Sequence, residues 1–175
     1  MTVRENICVL LAMMLFLAGC QSVNSGDSEA VRDKKVRYEL VLNQRLSLPT
    51  PETYTKISSD EELVIFSGRE NSVGYRWIDK EEVEFIGSNK SPYHFFNNVF
   101  NGPNTEEEKR FLEGFGKIVN RSFVSTNSLE FYLFNLGGRQ KIYILSGSLH
   151  FVTEITSNGD LRNLFEIITQ HSYIQ

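Results

Sequence analysis

The chain has 175 residues, of which 41% are hydrophobic, 12% aromatic and 23% charged, and its formal net charge at pH 7 is −4. This composition is typical of a globular protein and excludes disordered, collagen-like and helical-repeat architectures. The excess of acidic over basic groups argues against a nucleic-acid-binding protein, which would need a strongly basic face. The average conceals an asymmetry, because the first twenty residues are far more apolar than the rest.

An uncharged apolar run lies close to the N-terminus. Residues 7–17 read ICVLLAMMLFL and follow a short start that carries Arg4 and Glu5. A membrane-spanning helix needs about 20 apolar residues, so this run is too short to cross a bilayer. Its length is instead that of the apolar core of a signal peptide.

The residues that follow are Leu17-Ala18-Gly19-Cys20, small side chains directly before a cysteine. This segment closely resembles the lipobox of bacterial lipoproteins. The resemblance implies that a signal peptidase cuts between Gly19 and Cys20. It also implies that the Cys20 sulfur receives a diacylglycerol and that the new amine is acylated, which would anchor the chain to a membrane.

The resemblance implies that residues 1–19 are a removed signal peptide and that Cys20 is the acylated N-terminus. Residues 21–35 are polar and have no apolar periodicity, so we expect residues 20–35 to be an acylated N-terminus with a flexible polar tether. No second boundary follows, and residues 36–175 are expected to form a single globular α+β domain. In enterobacterial lipoproteins an Asp after the cysteine is the usual signal for inner-membrane retention, whereas this chain has Gln21. We therefore expect the periplasmic face of the outer membrane rather than the inner membrane.

The two cysteines of the chain are Cys8 and Cys20. On this interpretation Cys8 leaves with the signal peptide and Cys20 becomes a thioether. The folded domain would then contain no thiol nucleophile, no thioredoxin-like pair and no cysteine zinc site.

The segment between the tether and residue 90 is predicted to be extended. Alternating or continuous apolar residues separated by Pro, Gly and Asn are typical of short strands. The predicted strands cover residues 36–42, 45–48, 62–66 and 73–77, with another short one at Val83 and Phe85.

The middle of the chain changes to helical periodicity. Ser91 and Pro92 form a helix start, and the segment 101–103 (Asn-Gly-Pro) ends that helix. Thr105 with Glu108 has the spacing of a capping box, which predicts a second helix. Apolar residues at helical spacing extend this second helix to Val119 and are Phe111, Leu112, Phe115, Ile118 and Val119.

The last third of the chain is predicted to be a three-stranded antiparallel meander followed by a helix. The strands would cover residues 129–136, 141–145 and 149–155, separated by turns that contain Gly137-Gly138 and Ser146-Gly147-Ser148. The first of them, LEFYLFNL, is apolar on both faces. Asp160 is placed to cap the final helix, whose apolar stripe is Leu161, Leu164, Phe165 and Ile168.

A strand that is apolar on both faces needs cover on both sides. We therefore expect an α+β fold in which an antiparallel sheet is flanked by helices on both faces, an α/β/α sandwich with the C-terminal helix packed on the sheet. The segment RLSLPTPETYTKI (residues 45–57), together with the closing meander and helix, resembles the PsbP/DcrB-like fold, which includes bacterial lipoproteins. This resemblance covers about residues 45–175 and carries no catalytic residues onto the chain.

No catalytic constellation is visible in the sequence. There is no G-x-S-x-G elbow, no H-E-x-x-H motif and no glycine-rich phosphate loop. His94, His150 and His171 are isolated from one another and from carboxylates at metal-ligand spacing. The Gly137-Gly138-Arg139 segment fits either a hairpin turn or a small anion-binding nest. We predict no catalytic residue, no metal and no cofactor.

The remaining unusual feature is the aromatic helix that begins at Pro92. Phe95 falls outside the stripe that contains Tyr93 and Phe96, so these three residues are candidates for an exposed partner-binding surface. A helix that is covered on two sides is the alternative explanation of the same pattern.

The sequence thus predicts a non-enzymatic module that is anchored in the membrane through acyl chains on Cys20. This module would bind an envelope or secreted protein and no nucleic acid, and immunity or exclusion is one version of that role. An envelope hydrolase with dispersed Ser, His and carboxylate residues, or a binder of a small ligand or lipid, is the alternative.

The lipobox interpretation makes a direct prediction about Cys20. Cys20→Ala removes the sulfur that would carry the diacylglycerol, so the variant should leave the membrane fraction. Cys8→Ala, in the part of the chain that would be discarded, is the matched control and should stay with the membranes. Fractionation with a high-salt wash measures this, and a Cys20→Ala chain that still sediments with membranes would overturn the interpretation.

Overall fold

The computed structural model describes residues 39–50, 54, 56–60, 62–69 and 71–175. These residues belong to one unit, Lys35–Gln175. The predicted signal peptide, the lipobox and the tether lie outside the described residues. Within the described part of the chain, no helix has the length and apolar character needed to cross a membrane.

The described residues form a large antiparallel sheet of seven strands. These strands are β3 (Lys56–Ser59), β4 (Leu63–Ser67), β5 (Ser72–Ile78), β6 (Asn120–Thr126), β7 (Leu129–Asn135), β8 (Gln140–Leu145) and β9 (Val152–Ser157). Their order across the sheet is β3-β4-β5-β9-β8-β7-β6. Neighbouring strands are all antiparallel, and β6 and β3 are the two edges.

A second, smaller sheet joins the two ends of the described chain. It contains β1 (Glu39–Leu42), β2 (Leu46–Pro49) and β10 (Tyr173–Ile174), in the order β1-β2-β10. The backbone N–H of Gln175 donates to the carbonyl of Arg45 at 2.7 Å. Leu46 and Leu48 of β2 are fully buried, so this sheet is also part of the core.

Four helices complete the described part of the chain. They are α1 (Lys80–Phe85), α2 (Pro92–Asn101), α3 (Glu106–Glu113) and α4 (Arg162–His171). The chain leaves the large sheet at β5 and re-enters it at the far edge, β6, and α1 to α3 form this long connection. The two predicted helix starts are confirmed: Ser91 caps α2, and Thr105 with Glu108 forms the capping box of α3.

Strand β7 shows how the core is arranged. Leu129, Phe131 and Leu133 belong to one apolar cluster, whereas Tyr132 and Phe134 belong to a second one. Because successive side chains of a strand point to opposite faces, the two clusters lie on the two sides of the sheet. The prediction that this strand is apolar on both faces is confirmed.

Different elements supply the rest of each cluster. The first cluster includes side chains of α4 and of the small sheet, namely Leu164, Phe165 and Ile168 with Leu42, Leu46 and Leu48. The second includes side chains of α1, α2 and α3, namely Val83, Phe95, Phe96, Val99, Phe100, Phe111 and Leu112. The α+β class with antiparallel pairing is confirmed, but the described residues form two sheets where one was expected, and strands predominate.

The predicted strand at Val83 and Phe85 is wrong, because these residues lie in helix α1. The Asp79 carboxylate accepts a hydrogen bond from the backbone N–H of Glu82 at 3.1 Å and caps this helix. Val83 is buried, whereas Phe85 is 92% exposed. The i, i+2 spacing of Val83 and Phe85 therefore did not indicate one face of a strand.

The second predicted helix is shorter than expected. It ends at Glu113, where Gly114 is the C-cap, so Ile118 and Val119 do not continue its stripe and are 36% and 55% exposed. The meander also has a fourth strand, β6, before the three that were predicted. The last helix has Leu161 at its N-cap, and Asp160 instead accepts a hydrogen bond from the backbone N–H of Arg162 at 2.9 Å.

A buried carboxylate ties the connecting helices together. Glu108 is fully buried and accepts hydrogen bonds from Lys90 Nζ at 2.5 Å, Asn98 Nδ2 at 3.0 Å and the backbone N–H groups of Asn104 and Thr105 at 2.7 and 3.1 Å. Burial alone would raise the pKa of Glu108, but these hydrogen bonds outweigh burial and lower it to about 2.

Glu108→Gln should therefore destabilise the fold. The amide leaves the Lys90 ammonium without its partner, and we expect a loss of about 3 kcal/mol in the free energy of unfolding at pH 7. Glu107→Gln, one residue away and outside this network, is the matched control and should change stability by less than about 0.5 kcal/mol.

The same substitution has a pH signature. Because the folded-state pKa of Glu108 lies below its ordinary value of 4.5, its contribution is complete above pH 4.5 and is lost as the pH falls towards about 2. The stability gap between wild type and Glu108→Gln should narrow across this interval in denaturant titrations. A gap that is independent of pH would contradict the assignment.

Candidate interaction surface

The expectation that helix α2 presents Phe95 at the surface is wrong. Phe95 and Phe96 are both fully buried, and their rings make edge contacts with Phe111 at 5.6 and 5.1 Å between centroids. Phe96 also stacks on Tyr143 of the sheet at 5.6 Å. The alternative explanation is correct: α2 lies between the sheet on one side and α3 on the other.

Tyr93, the third residue of the predicted surface, is half-buried. Its hydroxyl donates a hydrogen bond to Glu130 Oε1 at 2.9 Å, which links α2 to strand β7. This bond, together with desolvation and the negative charge of Glu130, raises the pKa of Tyr93. The residue is therefore engaged within the chain.

The structure places the three histidines in separate elements. His94 lies in the first turn of α2, His150 lies just before β9, and His171 ends α4. None of their rings bonds a serine hydroxyl of the described residues. No group of three or more His, Cys, Asp or Glu side chains among the described residues is arranged to hold a metal ion.

The surface that stands out is the edge strand β6. It has seven residues, six of them exposed, and it pairs only with β7 among the described strands. In an antiparallel ladder every second residue of an edge strand points its N–H and C=O away from the sheet. Strand β6 therefore presents a row of backbone donors and acceptors to solvent.

Apolar side chains accompany this open backbone. Phe123 is 52% exposed and its ring packs at 4.8 Å on Tyr132, while Val124 on the opposite face is 37% exposed. Val119, one residue before the strand, is 55% exposed. We name residues 119–126 the β6 edge.

The other edge of the sheet is built differently. Strand β3 has four residues against the seven of β6, and it begins with Lys56. Short strands and lysines are the usual devices that keep sheet edges from pairing with other chains. The β6 edge has neither of these, nor a proline, so it is the edge that is competent to accept another strand.

Positive charge surrounds the start of the β6 edge. Arg121 is the one charged residue of strand β6, donates to the Phe100 carbonyl and lies over the Tyr132 ring at 5.9 Å. Lys117 precedes the strand in sequence. Arg139 belongs to the neighbouring β7–β8 turn, which borders a cavity of about 300 Å³ and whose hairpin geometry is confirmed by the positive φ of Gly137 and Gly138.

Strand β6 was not predicted, although the residues that follow it in the sequence indicate a hairpin loop. Asn127 and Ser128 both have positive φ, 51° and 62°, and they form a two-residue hairpin loop between β6 and β7. Such loops favour Asn because it tolerates left-handed backbone. Asn-Ser directly before the strongest predicted strand therefore indicated a preceding strand.

No protein-family model, curated protein or solved structure matches this chain. The resemblances to bacterial lipoproteins and to the PsbP/DcrB-like fold therefore remain expectations from the sequence.

The burial of Phe95 leads to a test with two phenylalanines. Phe95→Ala should reduce the free energy of unfolding by about 3 to 5 kcal/mol, because it opens a cavity between α2 and α3. Phe85→Ala, at the exposed end of α1, should change it by less than about 0.5 kcal/mol. Chemical denaturation measures both, and equal effects of the two substitutions would contradict the packing described above.

Proposed function

We propose that this chain is a lipid-anchored bacterial envelope protein that acts as a non-enzymatic protein-binding module on the periplasmic side of the outer membrane. The observation that carries the proposal is the β6 edge, a long, exposed and partly apolar sheet edge that has no lysine or proline and whose one charged side chain, Arg121, donates to the Phe100 carbonyl. Its partner would be an extended segment of another envelope or secreted protein.

The chemistry of an open edge selects this kind of partner. An extended segment that adds to β6 satisfies the outward backbone groups, and its alternate side chains can cover Phe123 and Val124. Main-chain hydrogen bonds supply affinity and the side-chain contacts supply selectivity. A folded partner with no free extended segment could not use the edge in this way.

The charged residues near β6 indicate which charge the partner segment should carry. Residues 117–126 carry Lys117 and Arg121 and no acidic residue, and Arg139 lies in the adjacent turn. A partner segment with acidic residues at the end that meets this basic region would be attracted, whereas a basic segment would be repelled. A second copy of β6 has no acidic residue to offer this basic region, so we favour a different protein.

The anchor is a separate part of the proposal and is supported by the sequence Leu17-Ala18-Gly19-Cys20.

We also infer that the domain is organised as the expected three-layer α/β/α arrangement. The support is the division of β7 side chains between two clusters, one shared with α4 and the other with α1, α2 and α3. In this arrangement both sheet faces are covered, which leaves the edges as the open parts of the sheet.

Amide hydrogen exchange tests the docking edge. The probe is a synthetic peptide of alternating Thr and Val with glutamates at one end, compared with a version that has lysines there and a version with a central proline. The acidic peptide should slow exchange at alternate residues of β6, because the outward N–H groups gain partners. Unchanged exchange at β6, or equal slowing at β3, would contradict the proposal.

A matched pair of edge variants sharpens this test. Val124→Lys places a charge on the β6 edge and should weaken peptide binding at least about tenfold, with a stability change within about 0.5 kcal/mol. Ile57→Lys makes the same change on β3, where the replaced side chain is 53% exposed, and should leave binding intact. Equal loss of binding in both variants would show that the peptide does not use β6 specifically.

A further inference from the structure

Two histidines that are far apart in sequence line one cavity. His94 in the first turn of α2 and His150 before β9 both border a cavity of about 270 Å³. Lys80 at the start of α1 and Gly147 of the β8–β9 connection also line it. We name this space, defined by Lys80, His94 and His150, the histidine cavity.

The described ionisable side chains that line the histidine cavity include basic groups and no acidic one. The described lining consists of Lys80, the two histidines and neutral residues, and it contains no carboxylate. The Lys80 ammonium donates to Glu84 Oε1 at 2.5 Å and to the Asn89 carbonyl at 3.5 Å, so Glu84 is the acidic group that approaches from the same helix. An ammonium has three donors, and one is left for a ligand.

The imidazoles are not used inside the chain. Neither His94 nor His150 forms a side-chain hydrogen bond or ion pair with a described residue, and the ring of His94 makes only an edge contact with Tyr93 at 5.3 Å. The Tyr93 hydroxyl donates its hydrogen bond to Glu130. Two ring N–H donors and one ammonium donor therefore remain available around one space.

We propose that the histidine cavity binds a phosphate group. A protonated imidazole offers N–H donors to anionic oxygens, and charge-assisted hydrogen bonds of this kind are stronger than neutral ones. The volume is just below the range of about 300–1,000 Å³ that is usual for drug-sized ligands, so it suits a small oxyanion or headgroup. Two imidazoles without a third ligand in the described residues do not make a metal site.

The phosphate group could come from two sources, a free phosphate compound or a phospholipid headgroup. Both would offer anionic phosphate oxygens to Lys80, His94 and His150, and the test separates them. The cavity and the β6 edge involve different residues, so this inference stands independently of the proposed docking function.

Histidine NMR resonances of the purified full-length protein provide the readout. Inorganic phosphate, titrated at one fixed pH, should shift the His94 and His150 resonances and leave His171 unchanged. Equal shifts of all three histidines would mean general ionic effects and would overturn the proposal. Monomeric dihexanoyl phosphatidylglycerol, titrated in parallel, tests the lipid source.

Three substitutions complete the test. His94→Gln and His150→Gln should each weaken binding about tenfold, the loss expected for one charge-assisted hydrogen bond. His171→Gln, on an exposed side chain outside the cavity, should leave the affinity unchanged. If inorganic phosphate binds more tightly than the lipid, the ligand is a free phosphate compound. If the lipid binds more tightly, the ligand is a phospholipid headgroup. Binding of neither probe, or unaltered affinity in both cavity variants, would overturn the site.

Discussion

The fold depends on one constraint, the burial of apolar side chains on both faces of strands β7 and β8. Leu133 and Ile142 face one apolar cluster, while Phe134 and Tyr143 face the other. The first cluster also contains side chains of α4 and of the small sheet, and the second contains side chains of α1, α2 and α3. The long connection from β5 to β6 thus supplies the helical side chains of the second cluster. Because side chains on both sides of these strands are buried, the surfaces proposed for binding are a sheet edge and a cavity between elements.

Both proposed sites lie along that connection. The histidine cavity is at its beginning, where α1 and α2 start beside the β8–β9 connection, and the β6 edge is where it ends. Between the two sites, Glu108 of α3 forms an ion pair with Lys90, which precedes α2, and accepts a hydrogen bond from Asn98 of α2. The same elements that bury the aromatic core therefore fix the positions of both surfaces. A buried carboxylate makes this arrangement sensitive to strongly acidic solution and insensitive near neutrality.

Structural features that depend on a few neighbouring residues were predictable from the sequence. The caps at Ser91 and Thr105, the Gly137-Gly138 hairpin and the two-faced strand β7 each depend on residues close together in the chain. The failures have physical causes. Helix α1 has too few residues to show a helical period, so Val83 and Phe85 resembled a strand. The β6 edge has little alternation of its own and is held by pairing with β7. Burial of Phe95 depends on α3, which covers it from outside its own helix.

We propose above all that β6 receives an extended segment of another protein. Photo-crosslinking in intact cells tests it most directly, with a photoreactive residue placed at Ser125 of the full-length chain and, in a parallel strain, at Ser58 of β3. Mass spectrometry of the crosslinked peptides should identify one recurrent extended segment with acidic residues, attached at Ser125 and absent at Ser58. Adducts that are scattered over many unrelated segments, or that form equally at the two edges, would contradict the account.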